Sequence, residues 1–376
     1  MYSINSMATL YFHIPFCRRI CTYCDFYKVG AVELMPAVVR GMHEELDMRH
    51  TYLKDRHLTS IYFGGGTPSL LHPHDIESLI EHARRLYDCS AEEEITLEPN
   101  PDDLTGEYVE ALATTSINRL SLGIQSFDDE ILRFMNRRHN AHEAIAAVER
   151  LRRAGYDNIS IDIIFGIGGF DDNSLKHTIQ RAVELNVEHI SAYHLTIEEG
   201  TRLGLMTRRG EYRPISEEQS EADYALVEES LMAAGYEHYE VSNYAREGYR
   251  AKHNSAYWTG VEYLGIGPGA HSFSGDDRRW CTSTARDYAD KKILFESESL
   301  TPRDHLNEYV MTSLRRAEGI DLDFITQRYG LAEAQRIEAS AEMWLKLGTL
   351  SRHGNRLSLP TSKFLLSDAV IESLFA

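Results

Sequence analysis

Through the first two thirds of the chain, short runs of apolar and β-branched residues alternate with longer stretches whose apolar positions recur every three or four residues. The short runs are Leu10–Ile14, Ser60–Phe63, Ile95–Leu97, Arg119–Gly123, Ser160–Phe165 and His189–Leu195. The longer stretches are Met35–Lys54, Asp75–Tyr87, Thr105–Thr114, Ala141–Ala154, Ser174–Leu185 and, after the last run, Glu217–Ala234. Runs of the first kind read as strands, and those of the second as amphipathic helices. Their alternation predicts βα units and a parallel sheet. Six such units are fewer than a closed barrel needs, so the expected architecture is α/β, a partial (β/α)6 TIM-like barrel, with a full barrel as the alternative.

The pattern then changes twice. Between Tyr236 and Leu300 the helical periodicity fades, while glycines (Gly265, Gly267, Gly269), Pro268 and aromatic residues accumulate. This stretch predicts irregular structure with a few strands, packed on the barrel. After Pro302, helical spacing returns in His305–Arg316, Asp321–Tyr329 and Leu331–Leu347. Two short β runs follow, Leu350–Arg352 and Arg356–Leu359, joined by a turn at Gly354 and Asn355, and Lys363–Phe375 closes the chain as a helix. Three helices and a hairpin predict a winged-helix-like α+β domain. The expected division is therefore a barrel over 1–235, an irregular extension over 236–300 and a C-terminal domain over 301–376.

Composition alters this picture in two respects. With 43% hydrophobic residues, the 376-residue chain has ample material for a main core and a smaller second domain. The 58 acidic against 39 basic side chains leave a net charge of −19, which repels phosphate backbones and argues against a nucleic-acid partner. No apolar run approaches a membrane span, and no basic stretch precedes an apolar one near the N-terminus. The expected location is therefore cytoplasmic. Met7 offers an alternative start, with Met1–Ser6 as extra residues.

The unusual chemistry gathers in the turns that follow the strands. Cys17, Cys21 and Cys24 follow the first run, Gly64–Pro68 the second, Glu98–Pro101 the third, and Gln125 the fourth. In βα folds the loops at the strand C-termini build the active site. Three of the five cysteines fall within eight residues, spaced C-x3-C-x2-C. Three close thiolates suit zinc or an iron–sulfur cluster. Structural zinc wants a fourth ligand, for which His13 is the neighbouring imidazole; three reduced structural thiols are the blander reading. A cubane held by three cysteines leaves one iron open to chelation, which suits the amino and carboxylate groups of S-adenosylmethionine.

The stretch from Tyr11 through His13, Pro15 and Cys17 to Tyr23, Cys24, Asp25 and Phe26 resembles the start of radical S-adenosylmethionine proteins. Within them it resembles the oxygen-independent coproporphyrinogen III oxidase family, and the similarity runs in order over nearly the whole chain. The resemblance implies a 4Fe-4S cluster on Cys17, Cys21 and Cys24. It also implies S-adenosylmethionine contacts from Tyr11, Gly65, Gly66, Thr67, Glu98, Gln125, Arg137 and Asp162. Gly168 stands where relatives carry proline, which predicts a differently shaped loop on that side of the pocket.

Two features bear on the branch of the family. Phe26 lies where the oxidases carry a further cysteine, and Cys17 comes earlier in the chain than its counterpart there. Lys252 is followed by His253, Asn254, Ser255, Ala256, Tyr257 and Trp258, which resembles the H-N-x-x-Y-W signature of the haem-chaperone (HemW) branch. His253 is thereby implied as a haem ligand, with Tyr257 and Trp258 against the macrocycle and His271 as a second imidazole. The expected function is haem binding and delivery, with cluster and S-adenosylmethionine as cofactors and haem as cargo. The partners implied are a haem-accepting protein such as a membrane-associated respiratory enzyme, and an electron donor such as a flavodoxin. The alternatives are oxidative decarboxylation of coproporphyrinogen III to protoporphyrinogen IX, or other radical chemistry on a tetrapyrrole. Whether the chain is an enzyme stays open here, and no catalytic residue is singled out.

Overall fold

The computed structural model describes residues 7–376, so Met1–Ser6, and with them the question of a start at Met7, lie outside the described residues. Six strands form the central sheet: β1 (Ala8–Ile14), β2 (His57–Gly65), β3 (Asp88–Leu97), β4 (Arg119–Gln125), β5 (Ile159–Phe165) and β6 (His189–His194). Each pairs in parallel with the next. The helices between and after them are α1 (Met35–Arg49), α2 (Pro73–Leu86), α3 (Gly106–Leu112), α4 (Asp129–Phe134), α5 (Ala141–Arg153), α6 (Asp172–Glu184), α7 (Arg202–Arg208) and α8 (Glu217–Ala233). Their starts are written locally: Thr105 caps α3, Asp128 caps α4, and Asn140 with Glu143 closes a capping box on α5.

Side chains alternate across each strand. One set, including Leu10, Phe12, Ile61, Phe63, Ile95, Leu97, Leu120 and Ile161, joins Val38, Met42, Leu79 and Leu151 of the helices in one buried core. The other set is polar and faces the barrel lumen. Register lines it up in rows, with Thr9 beside Ser60, Tyr11 beside Tyr62, Ser121 beside Ser160 and Asp162 beside Ser191.

The region 236–300, expected to be irregular with a few strands, carries six strands and two helices. It adds β7 (Glu237–Glu240) and β8 (Asn243–Ala245), then helix α9 (Lys252–Trp258). It goes on through β9 (Glu262–Ile266), β10 (His271–Ser274), β11 (Asp277–Cys281), α10 (Ala285–Ala289) and β12 (Phe295–Ser299). All six strands join the central sheet, whose order is β12-β11-β10-β9-β1-β2-β3-β4-β5-β6-β8-β7. These strands are three to five residues long, and their polar and half-exposed aromatic positions leave no apolar run to read.

The C-terminal part has α11 (Pro302–Leu314), β13 (Ile320–Asp321), α12 (Leu322–Tyr329), α13 (Leu331–Lys346), β14 (Ser351–His353), β15 (Arg356–Ser358) and α14 (Ser367–Leu374). Its small antiparallel sheet is ordered β13-β15-β14. Leu306, Val310, Ile320, Leu357 and Leu374 belong to the same core as the barrel. Among the described residues, no helix is long and apolar enough to cross a membrane.

Candidate functional site

The cysteine loop after β1 is folded back by main-chain bonds, Cys17 N–H to the Val29 carbonyl at 3.0 Å and Val29 N–H to the Pro15 carbonyl at 2.7 Å. Its far side is tied to the end of α4 by Thr22 N–H and the Met135 carbonyl at 3.1 Å. The sulfurs receive hydrogen bonds, Cys17 Sγ from Thr67 Oγ1 at 3.5 Å, Cys21 Sγ from Arg137 Nη1 at 3.3 Å and Cys24 from the Phe26 main chain. Burial raises the Cys17 thiol above its ordinary pKa, the Thr67 bond lowers it, and the neighbouring Cys24 and Cys21 raise it further. Phe26, by contrast, is 68% exposed.

His13 does not serve as a fourth ligand. Its Nδ1 meets Tyr11 Oη at 3.0 Å and its Nε2 meets the Tyr27 carbonyl at 2.9 Å, so both ring nitrogens are engaged elsewhere. Among the described residues, no three His, Cys, Asp or Glu side chains converge as a single ion would require. The donor set fits a cluster instead: three thiols on one loop, with hydrogen-bond donors directed at the sulfurs.

The glycine turn after β2 is forced to be glycine by its neighbours. Gly65 has φ of 102°, and a side chain there would meet the His13 ring at 2.5 Å. One at Gly66 would meet the Ile14 carbonyl at 2.8 Å. Glu98 faces this turn, accepting from Gly65 N–H at 3.3 Å and from the Tyr62 hydroxyl. Burial lifts its pKa from 4.5 to about 7. Asp162, hydrogen-bonded by Ser191 and Ser121, is lifted from 3.8 to about 6, again mainly by burial.

Arg137 closes the other side. Its Nη2 donates to Asn100 Oδ1 at 2.7 Å and to the Gly123 carbonyl, while its buried Nε has no partner. Gln125 is buried with φ of 73°, unusual for a residue with a side chain, and its Oε1 is also unpartnered. Unmet polar atoms and a strained backbone around a glycine-lined mouth suit a polar cofactor, and S-adenosylmethionine fits this donor and acceptor set. Gly168 explains itself: its N–H donates to Tyr212 Oη at 2.9 Å, and a side chain would strike the Arg213 carbonyl at 2.3 Å. A proline there would lose the bond and clash.

The structure thus brings Tyr11, the glycine turn, Thr67, Glu98, Gln125, Arg137, Asp162 and the cysteines to one end of the barrel. Of the haem candidates, His253, Tyr257 and Trp258 share α9, and His253 touches Tyr257. His253 is 1% exposed, its Nδ1 on Ser60 Oγ at 2.8 Å and its Nε2 on Tyr257 Oη at 3.0 Å. Its ring stacks on Tyr62 at 4.7 Å, and burial drops its pKa from 6.5 to about 3. Tyr257 and Trp258 are half-buried, whereas His271 is exposed at the start of β10. Tyr62, absent from the sequence reading, is a lumen residue revealed by strand parity with Ser60. Arg119, buried with two unpartnered nitrogens beside Glu94, left no such trace.

Comparison with known proteins places the chain in a family. Residues 11–182 match the radical SAM superfamily, and residues 300–362 match the HemN C-terminal domain. The heme chaperone HemW of Lactococcus lactis is 35% identical over 82% of this chain and 82% of its own. That of Mycobacterium tuberculosis is 33% identical, with 97% and 94% covered. Among solved structures, the coproporphyrinogen III oxidase HemN from Escherichia coli superposes with a TM-score of 0.82 over 98% of this chain and 90% of that one. At 22% identity that likeness speaks for the fold. The chain belongs to the HemW family of radical SAM proteins.

Proposed function

We propose that the protein is a haem chaperone of the HemW type, which binds haem, carries a 4Fe-4S cluster with S-adenosylmethionine, and passes haem to an acceptor protein. The observation that carries this reading is the set of relatives named heme chaperone HemW, 33–35% identical to this chain over most of both lengths. Cys17, Cys21 and Cys24 would hold the cluster. Bound there, it supplies an open iron for the amino and carboxylate groups of S-adenosylmethionine.

The chain's own residues would do the rest. Arg137 donates to the Cys21 sulfur and offers its free Nε toward a carboxylate. Glu98 and the Gly65–Thr67 turn would receive the ammonium group, Asp162 the ribose hydroxyls, and Gln125 Oε1 a further donor. Tyr11, inside the mouth beside Tyr62, would wall the sulfonium. Tyr257 and Trp258 would take part on the haem side. His253 would reach a haem iron only after leaving Ser60 and Tyr257. An acceptor such as a membrane-associated respiratory enzyme, and a flavodoxin-like electron donor, complete the proposal.

Phe26, exposed where the oxidases carry a cysteine, favours carriage over porphyrinogen decarboxylation. Anaerobic reconstitution followed by haem titration and transfer to an apo-haemoprotein tests the reading. Stoichiometric uptake with release to the acceptor is expected. Failure of the reconstituted protein to take up haem, or turnover of coproporphyrinogen III, overturns it.

A further inference from the structure

Paired residues of neighbouring strands share a face of the sheet. Thr9 lies on the lumen side and pairs with Tyr263 of β9, which pairs in turn with Phe273 of β10. Phe273 pairs with Arg278 of β11, and His271, two residues along on the same face, pairs with Trp280. The inward face of β9–β11 therefore presents a continuous row of three aromatic rings, a guanidinium and an imidazole. Rings meet along it, Tyr263 and Phe273 at 6.0 Å and His271 stacked on Trp280 at 5.9 Å. Tyr257 of α9 abuts its lower end, edge-on to Tyr263 at 4.7 Å.

This face is unlike a packed interior. Tyr263, Phe273, Arg278 and Trp280 are only half-buried, and His271 is exposed. Neither ring nitrogen of His271 makes a hydrogen bond among the described residues, in contrast to both nitrogens of His253. The position is also fixed. The turn leading into His271 is pressed on the cysteine loop, so that a side chain at Gly267 would meet the His13 carbonyl at 2.6 Å, and one at Gly269 would meet Tyr27 at 3.0 Å. Arg278 is held there by Glu308 of α11 at 2.6 Å and Glu298 of β12 at 3.1 Å.

We propose that the inward face of β9–β11 is the docking face for an iron tetrapyrrole, with the His271 imidazole as the ligand that reaches the iron; this rests on the haem reading above. A flat aromatic macrocycle finds ring surface on Trp280, Phe273 and Tyr263. Its carboxylates find Arg278, which exchanges a glutamate partner for a propionate. Its iron finds a free imidazole nitrogen, whose lone pair forms the bond without a proton transfer or a change in the fold. His253 keeps its place inside the lumen.

Haemin is titrated anaerobically into the reconstituted full-length wild type, His271→Ala, His271→Met and Trp280→Ala, followed by the Soret band. His271→Ala is expected to bind at least tenfold more weakly with a displaced Soret band. His271→Met is expected to recover binding with a thioether-ligated spectrum, and Trp280→Ala to weaken binding without moving the band. A His271→Ala protein with the wild-type Soret position and a Kd within twofold of wild type overturns the inference. Wild type that takes up no haem overturns the haem reading instead, so the first titration separates the two failures.

Discussion

Glu98 sits where its charge is costly. The carboxyl is enclosed by Tyr62, Tyr11 and the glycine turn; the Tyr62 hydroxyl, the Gly65 amide and the Arg119 charge stabilise the anion, but burial, helped by the Asp162 charge, outweighs them. Its pKa of about 7 in the fold lies above the 4.5 it has when exposed, so in this interval the unfolded chain sheds the proton first. Ionisation of Glu98 therefore favours unfolding as pH rises from 4.5 to 7. The Glu98→Gln protein cannot titrate there. Urea unfolding of the apo-proteins at pH 5 and 7.5 is expected to show the variant gaining on wild type with rising pH; a constant difference between them contradicts it. At this scale sequence and structure agree unevenly. The cysteine triad announced itself by spacing, and Gly65 by its place after a strand. Tyr62 did so only through strand parity with Ser60, and Arg119 did not, because a polar residue inside an open barrel interrupts an apolar run no differently from one facing solvent.

Helix α9 shows what an element contributes that its residues alone do not. Its seven residues make only about two turns, too short to persist without outside support. Glu94 supplies it at the N-terminus, accepting from Lys252 N–H and His253 N–H at 3.1 Å each. His253 supplies it below, through Ser60 and the Tyr62 ring. His253→Ala removes both ring bonds, strands the buried Ser60 hydroxyl and opens a hole, at an expected cost of roughly 2–4 kcal/mol. Hydrogen exchange is expected to rise first at 252–258, and a urea midpoint unchanged from wild type shows that α9 is held otherwise. The six barrel strands and their helices were legible because each has an apolar face long enough to show a period. The strands of 236–300 were not, since Tyr263, Phe273 and Trp280 alternate with Arg279 and Glu262 over stretches too short to set one.

The whole molecule has one main core, running from Ala8 in β1 to Leu374 in α14, with a smaller apolar cluster under α4 and α7. The C-terminal part is stitched to the sheet edge by main-chain bonds, Val241 N–H to the Arg315 carbonyl at 2.9 Å and Ala317 N–H to the Tyr239 carbonyl at 3.1 Å. Tyr224 of α8 adds a bond to the Thr361 carbonyl at 2.6 Å. The ion pairs across the same boundary, Arg250 with Glu318 and Arg278 with Glu308, are half-exposed and each worth under about 1 kcal/mol. Shared apolar burial, not charge, therefore couples the two parts, and a shared core unfolds as a unit. The three tryptophans report on both sides of the boundary: Trp258 and Trp280 in the sheet extension, and Trp344 in α13, bonded to Ser373 of α14. Variants retaining only Trp280 or only Trp344 are expected to melt at coincident midpoints by fluorescence, and salt is expected to move the two together. A Trp344 transition preceding that of Trp280 by several degrees means that the C-terminal helices stand on a core of their own.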